Sequence, residues 1–321
     1  FKQTTRLLKV ICKELPMRLN HPPLSELLSY CRPHGSATEQ EFVERYLLSL
    51  PGAITDAHGN VHVRIGAPDI LWSCHTDTVH RVGERQNVRR ANGQITLSAH
   101  SSSACLGGDD TVGVYICLAL IDAGREGHYI FHRGEECGGI GSKALAQDTP
   151  DLIHDSTFAI ALDRAGTSDI VTSQCGQPCC SSAFAYSLSE ALMPEFKHER
   201  QYRPARGLYT DTHEYRMIIP ECTNISVGYY HAHTPDESID LSHVHTLIQA
   251  LYNLDTSALV CRRQPQYFPP QTTSAVRWRE PQSATVKLPY GWRYVGADNT
   301  HKNTRNHRLN HEQPLMLRRP K

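Results

Sequence analysis

Residues 70–79 read Ile70-Leu-Trp-Ser-Cys-His75-Thr-Asp77-Thr-Val79. The apolar run is too short for a buried helix and suits a strand covered on both faces. It ends abruptly in a histidine and an aspartate two positions apart. In open α/β sheets, ligands gather at the carboxyl ends of strands, so the pair sets a pattern to follow outward.

The pattern recurs. Tyr129–Phe131 leads into His132-Arg-Gly134-Glu135-Glu136-Cys-Gly-Gly139, and Thr157–Leu162 leads into Asp163-Arg164-Ala-Gly166. Thr223–Tyr230 leads into His231-Ala-His233-Thr-Pro-Asp-Glu237. Leu106-Gly-Gly108-Asp109-Asp110 precedes Thr111–Ala123, whose Val, Ile, Leu and Ala predict a buried helix. Taken singly, each polar pair is what a surface turn or a helix cap also looks like. Five of them in order, each at an element boundary, are not what ordinary loops produce. Histidines and carboxylates are the ligands that divalent transition metals accept, zinc above all.

Around these strands the coarse reading alternates helix and strand. Leu24–Tyr30 has helical spacing, and Ser36 followed by Glu39 predicts a helix start, with Pro51-Gly52 as its stop. Residues 54–63 read as a β-hairpin about Asp56–Asn60. A helix begins at Gly141, and Ser242–Leu254 is amphipathic. Such alternation predicts α/β layering. Cys175, Cys179 and Cys180 lack a second pair at zinc-binding spacing and read better as a strand-to-helix turn.

The 321 residues allow one large domain or two small ones at about 100–200 residues each. Apolar residues are 39% and mean hydropathy is −0.44, which excludes a polytopic membrane protein and a wholly disordered chain. Net charge is zero but unevenly spread. Residues 261–321 hold 12 basic and 3 acidic side chains, and residues 1–20 hold 5 and 1. The body between carries a net of −13, the wrong sign for a phosphate-binding surface and the right one for cation ligands. We therefore expect a basic N-terminal extension (1–20), a catalytic domain (21–260) and a basic, proline-containing tail (261–321). The eleven cysteines are odd in number, and several, such as Cys74 and Cys117, fall inside predicted elements. With no long apolar span, this predicts a cytoplasmic chain that engages neither membrane nor nucleic acid.

The motifs His75-x-Asp77, Gly108-Asp109-Asp110, Gly134-Glu135-Glu136, Asp163 and His233 resemble those of the di-zinc exopeptidases, a group of aminopeptidases, tripeptidases and carboxypeptidase or deacylase relatives. The resemblance spans residues 24–255. It implies a three-layer α/β/α sandwich with a central mixed, mostly parallel sheet. The 70 positions between Asp163 and His233 leave no room for a full lid domain. It implies two divalent metal ions, zinc first, with cobalt or manganese suited to the same ligands. His75 and Asp163 would hold one, Glu136 and His233 the other, and Asp110 would bridge them. His231 is an alternative to His233. Asp77 would orient the His75 ring, and Glu135 would be the general base acting on a metal-bridging hydroxide. Arg164, Tyr209, Asp211 and His213 are candidates for contacting substrate, and Asp109 for holding the loop.

The expected activity is hydrolysis of a peptide or amide bond in small peptides, aminopeptidase-like. The alternatives are a single-zinc acyltransferase resembling glutaminyl cyclases, a deacylase or carboxypeptidase acting on N-acylated amino acids, and a non-catalytic metal-binding descendant. The free Glu135 argues against the last, since a binding module has no use for a base beside a ligand.

Overall fold

This computed structural model describes residues 21–197 and 201–265. The predicted N-terminal extension and the tail beyond residue 265 lie outside them. The strands are β1 (Ile54–Thr55), β2 (Val61–Ile65), β3 (Ile70–His75), β4 (Val88–Ala91), β5 (Gln94–Leu97), β6 (Gly127–His132) and β7 (Phe158–Arg164). They continue with β8 (Asp169–Gln174), β9 (Gln177–Pro178), β10 (Arg203–Gly207), β11 (Glu221–Ser226), β12 (Tyr229–Tyr230) and β13 (Ser238–Asp240). The α-helices are α1 (Leu24–Leu27), α2 (Ala37–Phe42), α3 (Gly108–Asp122), α4 (Ile140–Asp148), α5 (Ser182–Leu192), α6 (Thr212–Tyr215) and α7 (Leu241–Asn253).

The main sheet runs β1-β2-β6-β3-β7-β11-β8-β10, with β9 paired to β8. Its centre is parallel: β6, β3, β7 and β11 lie side by side and point the same way. β2 and β8 flank this centre antiparallel. Every residue of β3, β6 and β11 is buried, as strands covered on both faces require. Side chains alternate between the faces. Ile70, Trp72 and Cys74 of β3, with Phe158, Ile160 and Leu162 of β7, join the core that includes α3, α5 and α7. Leu71, Ile130 and Ala159 join the opposite core, with Leu145 of α4 and Tyr215 of α6. Helix, sheet and helix make the three layers that were expected.

α3 is apolar all round because it is covered all round. It packs on β3 and β7 and also against α1 and α7, and Val112, Val114, Ile116, Leu118 and Leu120 are all inaccessible. At its start a Cβ on Gly113 would lie 2.5 Å from the carbonyl oxygen of Leu162, so only glycine lets the helix press this closely onto β7. The segment between Asp163 and His233 forms β8 to β12 with α5 and α6. It extends the sheet rather than building a lid.

A second, antiparallel sheet, β12-β13-β5-β4, was not legible in the sequence. Its β12–β13 connection, residues 231–237, carries His233. The helix expected from Ser36 starts as predicted, the Ser36 hydroxyl accepting the Glu39 amide at 3.1 Å. It continues past α2 as a π-helical turn, Val43–Leu47, before Pro51. The ten described cysteines are all free thiols, and no described helix is long and apolar enough to cross a membrane.

Candidate metal centre

Because β6, β3 and β7 are parallel neighbours, their carboxyl ends bring His75, the Gly134–Glu136 turn and Asp163 together. α3 begins beside them with Asp109 and Asp110, and the β12–β13 loop brings His233. The His75 Nδ1 lies 3.0 Å from the backbone carbonyl of Asp77. A carbonyl can only accept, so Nδ1 carries the proton and Nε2 faces the carboxylates. Nε2 is 3.2 Å from Asp109 and 3.6 Å from Asp163. On the other side, His233 Nε2 is 3.1 Å from the second oxygen of Asp109 and 2.8 Å from Glu136. His233 and His231 both have left-handed backbones, at φ +66° and +55°, uncommon for non-glycine residues, and the His233 ring, still half-exposed, is the one that meets the carboxylates. His231 is exposed and makes no such contact.

Two of the expected site carboxylates also serve the backbone. Asp110, expected between the metals, is inaccessible, and its two oxygens accept the backbone N–H groups of His75 (3.2 Å) and Gly113 (3.0 Å). The carboxylate standing between the two imidazoles is that of Asp109. The Asp77 carboxylate was expected on the His75 ring. It stands 3.6 Å from the ring's Nδ1 and also accepts the amides of Glu135 (3.1 Å) and Glu136 (3.2 Å). Asp77 thereby ties the end of β3 to the turn after β6. Both have the same cause: a buried backbone N–H must find a partner, and these carboxylates are the nearest.

Three supporting residues escaped the sequence reading. Buried Glu237 accepts the amides of Leu106 (2.9 Å), Gly107 (2.8 Å) and Asp109 (3.1 Å), clamping the loop that presents Asp109. Burial pushes its carboxyl up to about 7. Thr210 donates to Asp163 at 2.7 Å. Arg32, wholly buried, donates to the Thr76 carbonyl at 2.7 Å and the Thr111 hydroxyl at 2.8 Å behind the site. Burial lowers its pKa to about 10, although Glu39, Asp77 and Asp110 pull the other way. The only signal for Glu237 was an acid four positions beyond His233.

The electrostatics are those of crowded acids. Burial, with Asp163, Asp211 and Glu136 nearby, pushes Glu135 up to about 10. Burial and Asp109 raise Asp163 to about 7. Hydrogen bonds to Asp109 and Glu136 raise His233 to about 10. Burial would lower His75, but its contacts with Asp109, Asp163 and Asp77 raise it well above the ordinary imidazole value. The donor atoms of His75, Asp109 and Glu136 lie within 4.8 Å of one another, as do those of His75, Asp110 and Asp163. Five carboxylates around two neutral imidazoles leave a negative excess that two dications would largely offset, and imidazole with carboxylate is a donor set suited to zinc. These residues therefore fit a pair of divalent ions.

A cleft of about 450 Å³ opens onto the group, bordered by Asp109, Glu135, Glu136, Asp163, His233 and the tentative substrate residues Arg164 and Tyr209. Arg164 gives Nε and Nη2 to one oxygen of Asp169 at 3.1 and 3.0 Å. Asp211 and His213 do not border the cleft. Asp211 is buried behind it, with its carboxyl pushed up to about 8 by burial. His213 stands against the Tyr209 ring, centroids 5.7 Å apart.

No protein-family model matches the chain, and no curated protein matches it. Solved structures do. Aminopeptidase PepT from Bacillus cereus ATCC 10987 matches at TM-score 0.57 and 14% identity, over 72% of this chain and 95% of that one. A tripeptidase from Staphylococcus aureus matches at 0.54 and 14%, over 73% and 96%. An aminopeptidase from the archaeon Desulfurococcus kamchatkensis matches at 0.52 and 15%, over 72% and 92%. At such identities the likeness is one of architecture: the chain has the fold of these aminopeptidases and of this tripeptidase.

Proposed function

We propose that the chain is a two-metal hydrolase that removes the amino-terminal residue from small peptides. The observation that carries this reading is the Asp109 carboxylate between His75 and His233, with the Glu135 turn bordering the same cleft. His75 and Asp163 would hold one ion, Glu136 and His233 the other, and Asp109, in place of Asp110, would touch both. Bound there, a pair of zinc ions would acidify a water between them and polarise the scissile carbonyl. Cobalt or manganese would suit the same donors.

The chain's own groups do the rest. Asp77 fixes the Glu135–Glu136 turn through two backbone amides, so that one acid can ligate while its neighbour stays free. Beside two dications the Glu135 carboxyl would be drawn back to its ionised form, and it then takes a proton from the attacking water. As the C–N bond breaks, it returns that proton to the departing amine. The acidic cleft favours a substrate's α-ammonium. A carboxypeptidase or N-acyl amino acid deacylase must instead hold a carboxylate, and the cation bordering the cleft, Arg164, is already paired with Asp169. Ten free thiols among the described residues, seven of them buried, suit a cytoplasmic setting.

The test is a panel of aminoacyl 4-nitroanilides and dipeptides, assayed after chelation and after zinc is restored. Zinc-dependent release of the first residue is expected. Glu135→Gln should lose at least about 100-fold in kcat while keeping its zinc. Full rate in that variant overturns the base assignment. Cyclisation of glutaminyl peptides with one zinc per chain, and no hydrolysis, would establish the acyltransferase instead.

A further inference from the structure

The cleft has a second end that the proposed chemistry leaves unused. The acids come from the ends of β6, β3 and β7 and from the start of α3. Beyond β11, on the far side of the sheet order, β8 and β10 contribute Val171 and Gly207, and the chain then places Leu208 on the same cleft. Val171 is buried, whereas Leu208 is 79% exposed, the most exposed large apolar side chain among the described residues. A Cβ on Gly207 would lie 2.7 Å from Val171 Cγ1, so glycine there is what lets Val171 pack directly against β10 and form a continuous apolar wall. Ala165 completes it. The acids bordering the cleft (Asp109, Glu135, Glu136 and Asp163) come from other elements than β8, β10 and the segment after it, and the nearby cation, Arg164, is paired with Asp169.

We infer that this wall receives the side chain of the substrate's first residue and selects an unbranched or γ-branched aliphatic of leucine or methionine size. The inference rests on the aminopeptidase reading and deepens it. With the scissile carbonyl at the ions that His75, Asp163, Glu136 and His233 would hold, the first side chain would point along the cleft toward Val171 and Leu208. An acidic side chain would meet no unpaired cation there, and a lysine no acid. A leucine would lose water from its own surface and from Leu208 together, the term that favours apolar contact.

The experiment compares the leucine, methionine, alanine, glutamate and lysine 4-nitroanilides on wild-type protein, Leu208→Ala and Leu208→Lys, all loaded with zinc. Because Leu208 is exposed, neither variant endangers folding. Calorimetric binding of free L-leucine and L-aspartate to the same proteins gives a readout that does not need turnover. Wild type should prefer leucine and methionine. Leu208→Ala should lower kcat/KM for leucine about 10-fold while leaving alanine within about 2-fold. Leu208→Lys should raise the rate on glutamate. Cleavage of glutamate or lysine at least as fast as leucine, or an equal fall on every substrate, overturns the inference and leaves the hydrolase reading standing. Leucine binding that depends on Leu208 without any cleavage does the reverse, and neither cleavage nor leucine binding overturns both.

Discussion

Replacing Glu237 isolates the clamp behind Asp109. In the native protein its two carboxylate oxygens satisfy three backbone N–H groups, those of Leu106, Gly107 and Asp109, in a place with no solvent access. Glu237→Ala orphans all three. A buried donor left without a partner costs about 1–3 kcal/mol, so the gross loss is about 3–9 kcal/mol, against a domain stability of about 5–15 kcal/mol. Water entering the loop would bring the measured value to the lower end. Glu237→Gln keeps one carbonyl oxygen, which can serve Leu106 and Gly107 as Oε2 does now. Its amide then faces the Asp109 N–H donor to donor, and one orphan costs about 1–3 kcal/mol. Urea unfolding of metal-free protein at pH 8, where the carboxylate is ionised, should rank wild type above Gln above Ala. Zinc affinity should fall in the same order, because the loop presenting Asp109 is no longer held. An alanine variant within about 0.5 kcal/mol of wild type, or a glutamine as damaging as alanine, refutes the clamp.

Gly127→Ala would place a Cβ 2.5 Å from Trp72 Cδ1 in the sealed centre of the sheet. Overpacking there should cost about 1–3 kcal/mol, visible as a lowered Tm, and an unchanged Tm would contradict the packing described. His80, bonded to the Thr78 hydroxyl and the Cys105 carbonyl, has its pKa lowered to about 4, first by burial and then by Arg32. A histidine held neutral in the fold stabilises above its unfolded pKa of about 6.5 and loses that contribution as pH falls toward its folded value. Wild type should therefore lose up to about 3 kcal/mol relative to His80→Asn between pH 6.5 and 4. A stability difference that stays flat across that window in urea titrations would contradict it.

The buried strands were legible because burial on both faces writes an uninterrupted apolar run, as in residues 70–74 and 157–162. α3 and α7 were legible for their length and apolar spacing. The small sheet was not: Val88-Arg-Arg-Ala91 and Gln94-Ile-Thr-Leu97 are short and partly exposed, and the hairpin they form becomes part of a sheet only where β5 meets β13, over 140 positions away. β10, Arg203-Pro-Ala-Arg-Gly207, is an edge strand with no apolar pattern. At the site, the acids singled out in the sequence do meet at neighbouring strand ends, since that follows from topology. It could not say which of two adjacent aspartates faces inward. Asp110 accepts the Gly113 amide within α3 and the His75 amide from β3, and the second contact exists only once α3 has docked on β3. The Asp77 carboxylate, besides facing the His75 ring, takes the Glu135 and Glu136 amides from another strand end, and Glu237 meets its loop across about 130 residues of chain.

Zinc content measured by elemental analysis after equilibrium dialysis tests the central claim most directly, with Asp109→Ala and Asp110→Asn as the paired variants. Two zinc ions per chain are expected in wild type, at most one in Asp109→Ala, and two in Asp110→Asn, which keeps an oxygen for one of its amides. Fewer than two ions in wild type, or two in Asp109→Ala, would contradict a pair of cations held about that carboxylate.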